Sequence, residues 1–203
     1  MKLYVSPASP YVRKVRVVAR EAGLAAVIEE VVASVSPVAP NEQVSRDNPL
    51  GKLPVLIADD GSAIYDSPVI CEYLDSLHSG RKLFPAAGPA RWTALKLQAL
   101  ADGLLDAALL ARYEAALRPE PRRWPEWIAG QKRKIADALD TLERDVDLLG
   151  GELTIGNLSV ACALGYLDFR FAADAWRTGR PKLDAWLAEV SKRESLRATM
   201  PKG

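Results

Sequence analysis

Two serines stand in the same local setting. Ser9 lies in SPASPYVRKVR (6–16) and Ser67 in IYDSPVICEYL (64–74), each followed by a proline. Each Ser-Pro pair separates a short apolar run from a stretch of helical spacing. In that setting Ser9 and Ser67 are expected as helix N-caps, with Pro10 and Pro68 as the first helical residues, where a missing N–H is no loss. A serine cap is ordinary, contributes about 1 kcal/mol, and by itself needs no function. The pair says more. A helix N-terminus carries free N–H groups and roughly half a positive charge, so it favours anions. Two such helices, each following a strand of one small sheet, would offer two anion sites along one edge. A small ligand with negative charge at both ends would suit them.

A third element lies between them, NPLGKLPVL (48–56). Gly51 and Lys52 mark a turn and Pro54 opens a strand. An X-Pro bond is cis in only ~5–6% of folded cases, so the residues leave the isomer open. Were Leu53–Pro54 cis, the N–H and C=O of Leu53 would face outward and pair with an extended peptide as a sheet edge does.

The elements that must position these residues follow from periodicity. LYV (3–5), AVIEEVV (26–32), PVLIA (54–58) and SAIY (62–65) read as strands, and DDG (59–61) as a hairpin turn joining the last two antiparallel. Tyr11, Val15, Val18 and Ala22 recur at helical spacing and Gly23 stands as a C-cap. The opening β-α-β unit therefore has a parallel strand pair. SGRKLFPAAGP (79–89) reads as a linker. Beyond it the pattern predicts only helices, near 89–116, 124–149, 154–174 and 181–190, with a short last one. The predicted organisation is an α/β domain over 1–78, a linker over 79–88 and an all-helical domain over 89–203. In LTIGNL (153–158), Thr154 is an expected N-cap with Asn157 filling the capping-box position and Leu153 and Leu158 the staple.

The whole chain narrows the classes of function. Its 203 residues hold 49% hydrophobic and 26% charged residues, a globular composition rather than a disordered one. A net charge of +1 gives no basis for nucleic-acid or membrane-surface binding. Cys71 and Cys162 match no metal or CxxC spacing and read as buried reduced thiols. His78, the single histidine, reads as a surface or capping residue. The N-terminal MKLYVSPASP lacks an apolar signal-like segment and no run approaches a membrane span, which predicts a cytoplasmic protein. Asp102 and Asp106 form an i, i+4 carboxylate pair without an evident third ligand, so no metal is expected. Arg13, Arg16 and Arg20 form a stripe expected on a solvated or interface face.

The order SPY, NPLGKLPVL, DSPVICEYL and then a helical domain carrying LTIGNL resembles the glutathione transferase family over essentially the whole chain. The resemblance implies a thioredoxin-like N-terminal domain, an all-helical C-terminal domain, a homodimer and a detoxification enzyme with glutathione as co-substrate. It implies a cis Leu53–Pro54 bond that pairs with the cysteinyl backbone of glutathione, with Lys52 beside it. It implies that Asp66 holds the γ-glutamyl amine and Ser67 the carboxylate. Ser9 matches the position that carries Ser or Cys in the bacterial, theta, zeta and omega groups, so it would face the glutathione sulfur as the catalytic residue. Two departures stand out. Asn157 replaces the family's usual Asp, and no cysteine occupies position 9 as the omega and beta groups require. Tyr4 lies inside the first strand, before the position of the tyrosine-type catalytic hydroxyl, and ranks below Ser9.

For the electrophile, the expected pocket comprises Tyr11, Leu109, Arg112, Tyr113, Tyr166 and Phe169, with Leu105 and Arg170 nearby in sequence. Leucine and aromatic stripes at this spacing more often build helix core than a pocket. The leading expectation is conjugation of glutathione to a small apolar electrophile. The alternatives are a zeta-type glutathione-dependent isomerase or dehalogenase, for which Arg112 or Arg170 would receive an acidic substrate, and a glutathione-binding regulatory protein with little turnover.

Overall fold

Leu3, Tyr4 and Val5 are all buried, which makes the first strand, β1 (Lys2–Val5), a central rather than an edge strand. The computed structural model describes residues 1–201 and divides them into two compact units. The first unit holds residues 1–91 together with the chain from Arg193 onward. After β1 come α1 (Pro10–Glu21), β2 (Glu29–Val32), α2 (Glu42–Asp47), β3 (Val55–Ile57), β4 (Ala63–Ile64) and α3 (Ser67–Ser76). The sheet order is β2-β1-β3-β4. β1 and β2 are parallel, with Lys2 opposite Glu29, whereas β3 is antiparallel to both β1 and β4. The predicted second strand began at position 26, but residues 25–27 form a 3-10 turn. Glu29 and Glu30 are exposed on what is an edge strand.

α1 is amphipathic and packs on α3, burying Val12, Val15, Val17 and Val18. Its arginine stripe is not a free face. Arg13 is 6% exposed and donates to the Leu196 carbonyl at 3.2 Å, and Arg16 pairs with Glu30 at 2.7 Å. Arg193 forks onto Glu21 at 2.9 and 2.7 Å, and the Ser195 hydroxyl also donates to Glu21. These bonds tie α8 (Glu194–Arg197) to α1. The chain after position 192 therefore belongs to the first unit and not to the helical one, contrary to the expected span of 89–203. Residues about 180 apart in sequence make this contact, and no local pattern signals it.

The segment expected as a linker is also anchored. Asp75, 3% exposed, accepts from the N–H groups of Leu83 at 2.8 Å and Phe84 at 3.2 Å. Its Oδ1 also lies 3.2 Å from His78 Nε2, and the Lys82 ammonium donates to the carbonyls of Asp75 and His78. Leu83 and Phe84 are buried, so residues 79–88 close onto α3. Asp75→Asn replaces one acceptor oxygen by a donor facing a backbone N–H. It should lower stability by about 1–2 kcal/mol, read as a drop in the urea midpoint with an unchanged m-value.

The second unit, residues 92–192, is helical. It takes most of α4 (Gly88–Ala116), then α5 (Pro125–Arg144), α6 (Ile155–Arg170) and α7 (Pro181–Val190). α6 is buried nearly all round, from Ile155 through Leu164, as the central helix of a helical core must be. Its start is built as the sequence predicts. Asn157 Oδ1 accepts from the Thr154 N–H at 2.8 Å and from the Thr154 hydroxyl at 2.7 Å, and Asn157 Nδ2 donates to the Leu149 carbonyl at 2.8 Å. Cys71 and Cys162 are both buried, one in each unit. No helix among the described residues is long and apolar enough to cross a membrane.

Candidate functional site

Strand register brings three segments to one end of the first unit's sheet. Tyr4 near the end of β1 is opposite Val55 at the start of β3, and Leu56 is opposite Ile64 at the end of β4. The loop after β1, the turn before β3 and the loop after β4 therefore emerge at the same end. They carry Ser9, Leu53–Pro54 and Asp66–Ser67 respectively.

Ser9 is the N-cap of α1, extended at φ −81° and ψ 123°, with Pro10 as the first helical residue. Its Oγ accepts from the Val12 N–H at 3.3 Å. A hydroxyl that accepts in this way keeps its own proton, so Ser9 is able to donate to an anion while it caps. Tyr4 has a different use: it is 4% exposed and its hydroxyl accepts from Gln43 Nε2 at 3.1 Å.

Leu53–Pro54 is cis. Leu53 precedes Val55, the first residue paired with β1, so its N–H and C=O stand outside that ladder. Asn48 organises the turn. It is 1% exposed, its Oδ1 accepts from the Leu50 N–H at 3.0 Å and its Nδ2 donates to the Lys52 carbonyl at 3.0 Å. Gly51 closes the turn at φ +60°, in the left-handed region that favours glycine. The expectations included Lys52, Leu53 and Pro54 but not Asn48; the Asn-Pro dipeptide at 48–49 is the turn signal that marks it. Lys52 itself is exposed.

The second serine corrects one expectation. The N-cap of α3 is Asp66, not Ser67, because the first bond of the helix runs from the Ile70 N–H to the Asp66 carbonyl at 3.0 Å. Ser67 is thus the first helical residue, 2% exposed, and Pro68 the second. The exposed Asp66 carboxylate makes no cap bond. The N–H groups of Ser67 and Val69 precede the first helical bond, leaving donors at the helix start. The three segments together present a hydroxyl at one helix start, a peptide edge, and donors with an adjacent carboxylate at a second helix start. That set matches an extended, peptide-like ligand carrying an ammonium beside a carboxylate.

The remaining predicted residues divide between the units. Tyr11 lies in the first turn of α1, partly exposed. Leu109, Arg112 and Tyr113 are on α4, and Tyr166 and Phe169 on α6, all in the second unit. Tyr166 is 3% exposed, and burial raises its pKa against the pull of Arg112 and Arg170. Burial raises that of Tyr113 as well, against Arg112. Arg170 has its pKa pushed down by burial first and by Arg112 second, and its guanidinium carbon lies 3.9 Å from the Phe169 ring centroid. Leu105, at 1% exposed, is core rather than pocket. Asp102 and Asp106 join no cluster of three or more metal-ligating side chains among the described residues.

Comparison with known proteins gives the following. Residues 3–82 match the family model for the glutathione S-transferase N-terminal domain, and residues 125–189 that for the C-terminal domain. An uncharacterized GST-like protein of Escherichia coli (strain K12), YibF, is 35% identical over 99% of this chain and 98% of its own length. A glutathione transferase family member from Pseudomonas fluorescens Pf-5, crystallised with bound glutathione, is 48% identical with a TM-score of 0.98, covering 100% of this chain and 99% of that one. A crystal structure of a Pf-5 family member with bound S-(propanoic acid)-glutathione gives 46% identity and a TM-score of 0.93, covering 100% of both chains.

Proposed function

Because this chain belongs to the glutathione S-transferase family, we propose that it binds glutathione at the end of the first unit's sheet and transfers the thiolate to a small electrophile. The observation that carries this reading is the convergence of Ser9, Leu53–Pro54 and Asp66–Ser67 at that one end. In this assignment Ser67 and the α3 N–H groups hold the γ-glutamyl carboxylate and Asp66 the adjacent ammonium. Leu53 pairs through its backbone with the cysteinyl residue, and Lys52 supplies a nearby cation. Ser9 donates its hydroxyl proton to the sulfur. Leu109, Arg112, Tyr113, Tyr166 and Phe169, all of the second unit, are assigned to the electrophile.

Magnitudes decide where catalysis comes from. A free thiol has a pKa near ~8.5 and is a few per cent thiolate at pH 7. A hydrogen bond to the charged sulfur is worth roughly 1.5–3 kcal/mol and the helix terminus about 0.3–1. Together they lower the pKa by about two units at 1.36 kcal/mol each. The thiolate fraction then rises about 25-fold, while lower basicity removes about eightfold of nucleophilicity. The net gain is only a few-fold, so positioning the electrophile must supply most of the acceleration.

Calorimetry with glutathione tests the binding assignment. Asp66→Ala should weaken affinity by at least ~1 kcal/mol, since a charged hydrogen bond is lost. An unchanged affinity in the folded variant rejects the placement of the γ-glutamyl end. An assay with a generic aryl halide separates transferase from regulator: tight glutathione binding without turnover would favour the regulatory reading. A second reading, isomerisation or dehalogenation of an acidic substrate, is favoured by Arg112 and Arg170, which lack acidic partners among the described residues. The acidic S-substituent held by the Pf-5 relative supports it too. We further propose a cytoplasmic homodimer. Light scattering at micromolar concentration should give twice the 22.1 kDa chain mass, and a species of the single-chain mass would refute the dimer.

A further inference from the structure

We propose that Arg112 and Arg170, with the hydroxyls of Tyr113 and Tyr166, form a carboxylate-binding site within the second unit. The electrophile would accordingly be a small carboxylic acid anion. The substrate half of this inference rests on the transferase reading; the anion site does not.

Helical spacing assembles the group. Arg112 and Tyr113 are adjacent on α4, and Tyr166 and Arg170 are i, i+4 neighbours on one face of α6. The two guanidiniums are near enough that Arg112 acts on Arg170, and both act on Tyr166.

They are the partly buried arginines of this unit that pair with no acid among the described residues; Arg122, Arg123 and Arg133, also without an ion pair, are exposed. Elsewhere in the same unit Arg177 pairs with Asp168 and Asp184, Arg180 with Asp140, Arg144 with Asp145 and Arg118 with Glu114. Among the described residues Arg112 and Arg170 make no ion pair, and neither tyrosine hydroxyl makes a hydrogen bond. Arg170 Nε is buried without a partner, and the guanidinium carbon lies over the Phe169 ring. A guanidinium with an orphaned buried N–H and a second cation nearby gains when an anion arrives. A carboxylate fits because its two oxygens match the planar donor fork, and the two phenols add neutral donors.

The placement also bears on chemistry. When a glutathione thiolate adds to an α,β-unsaturated acid, an S–C bond forms at the β-carbon. The π pair moves to the α-carbon, which takes a proton from water, with no net oxidation. Negative charge spreads onto the carboxylate during this step, and fixed guanidiniums stabilise it there.

The test begins with protein free of glutathione, titrated with propionate and with neutral propionamide and followed by NMR. Propionate should bind at least tenfold more tightly. Arg170→Met, which keeps an apolar stem over Phe169, and Arg112→Gln should each reduce propionate affinity about tenfold, with circular dichroism reporting the fold. Equal affinities for acid and amide in the wild type, or an undiminished preference in either folded variant, would overturn the site. Should Arg170→Met not fold, Arg112→Gln and the wild-type comparison decide. The catalytic consequence is read as rate enhancement over the uncatalysed reaction, which should be at least tenfold larger for acrylate than for acrylamide. A larger enhancement for acrylamide overturns the substrate class. Glutathione calorimetry on the wild type keeps the readings apart: no glutathione binding would defeat the transferase reading, while acid-selective binding of propionate would still establish the anion site.

Discussion

Ser9→Ala should raise the pKa of bound glutathione by about one to two units, the worth of one hydrogen bond to a charged sulfur, and weaken glutathione affinity at pH 7 by no more than about a few-fold, the linked loss of thiolate binding. The thiolate absorbance titrated against pH measures this directly. Ser9 caps α1 through the Val12 N–H, so the substitution should also lower stability by about 1 kcal/mol. The two effects are separable, because a cap alone leaves the thiol untouched. Conjugation at neutral pH should fall a few-fold, and further as pH decreases, since the unassisted thiol is then almost wholly protonated. Ser9→Cys sharpens the test. A thiol at a helix N-terminus has a depressed pKa, and its thiolate would attack oxidised glutathione, forming a mixed disulfide and releasing one glutathione thiolate. Cys71 and Cys162 are both 0% exposed, so position 9 is the site expected to react. Mass spectrometry with peptide mapping should find glutathione on residue 9. A folded protein that forms no adduct there would place Ser9 away from the sulfur and remove its catalytic assignment.

A second large effect is expected where no chemistry occurs. Gly156→Ala should destabilise the protein by about 2 kcal/mol, although alanine is ordinarily the better helix former by about 1 kcal/mol. A Cβ at position 156 would lie 2.8 Å from the Ala94 carbonyl oxygen and 2.8 Å from Leu97 Cβ. The first of these is backbone and cannot rotate away. α4 and α6 must then separate, and overpacking of this kind costs about 1–3 kcal/mol. Urea unfolding should show a lower midpoint. A midpoint at or above that of the wild type would mean that the helices adjust freely and that the glycine is dispensable.

Local pattern was enough for much of this molecule. The antiparallel pair β3–β4, the boundaries of α1 and α7 and the Thr154–Asn157 helix start are all determined by neighbours within a few residues in sequence, and the parallel sense of β1–β2 follows from the one α-helix between them. Periodicity, a DDG turn and a capping pair act at that range, so they are readable without a fold. Three matters were decided only in three dimensions. The cap of α3 moved from Ser67 to Asp66, because the helix's first hydrogen bond and not the Ser-Pro dipeptide sets its start. The supposed linker became part of the first unit, because the buried Asp75 collects two N–H groups eight and nine residues downstream. Arg13 of the arginine stripe turned inward, because it and Glu21 meet a chain end some 180 residues away. The gathering of Ser9, Leu53–Pro54 and Asp66 at one sheet end belongs to both levels. The motifs are local, but only the strand register β2-β1-β3-β4 brings them to the same end, since hydrogen bonds between strands distant in sequence carry no imprint in the residues of either strand alone.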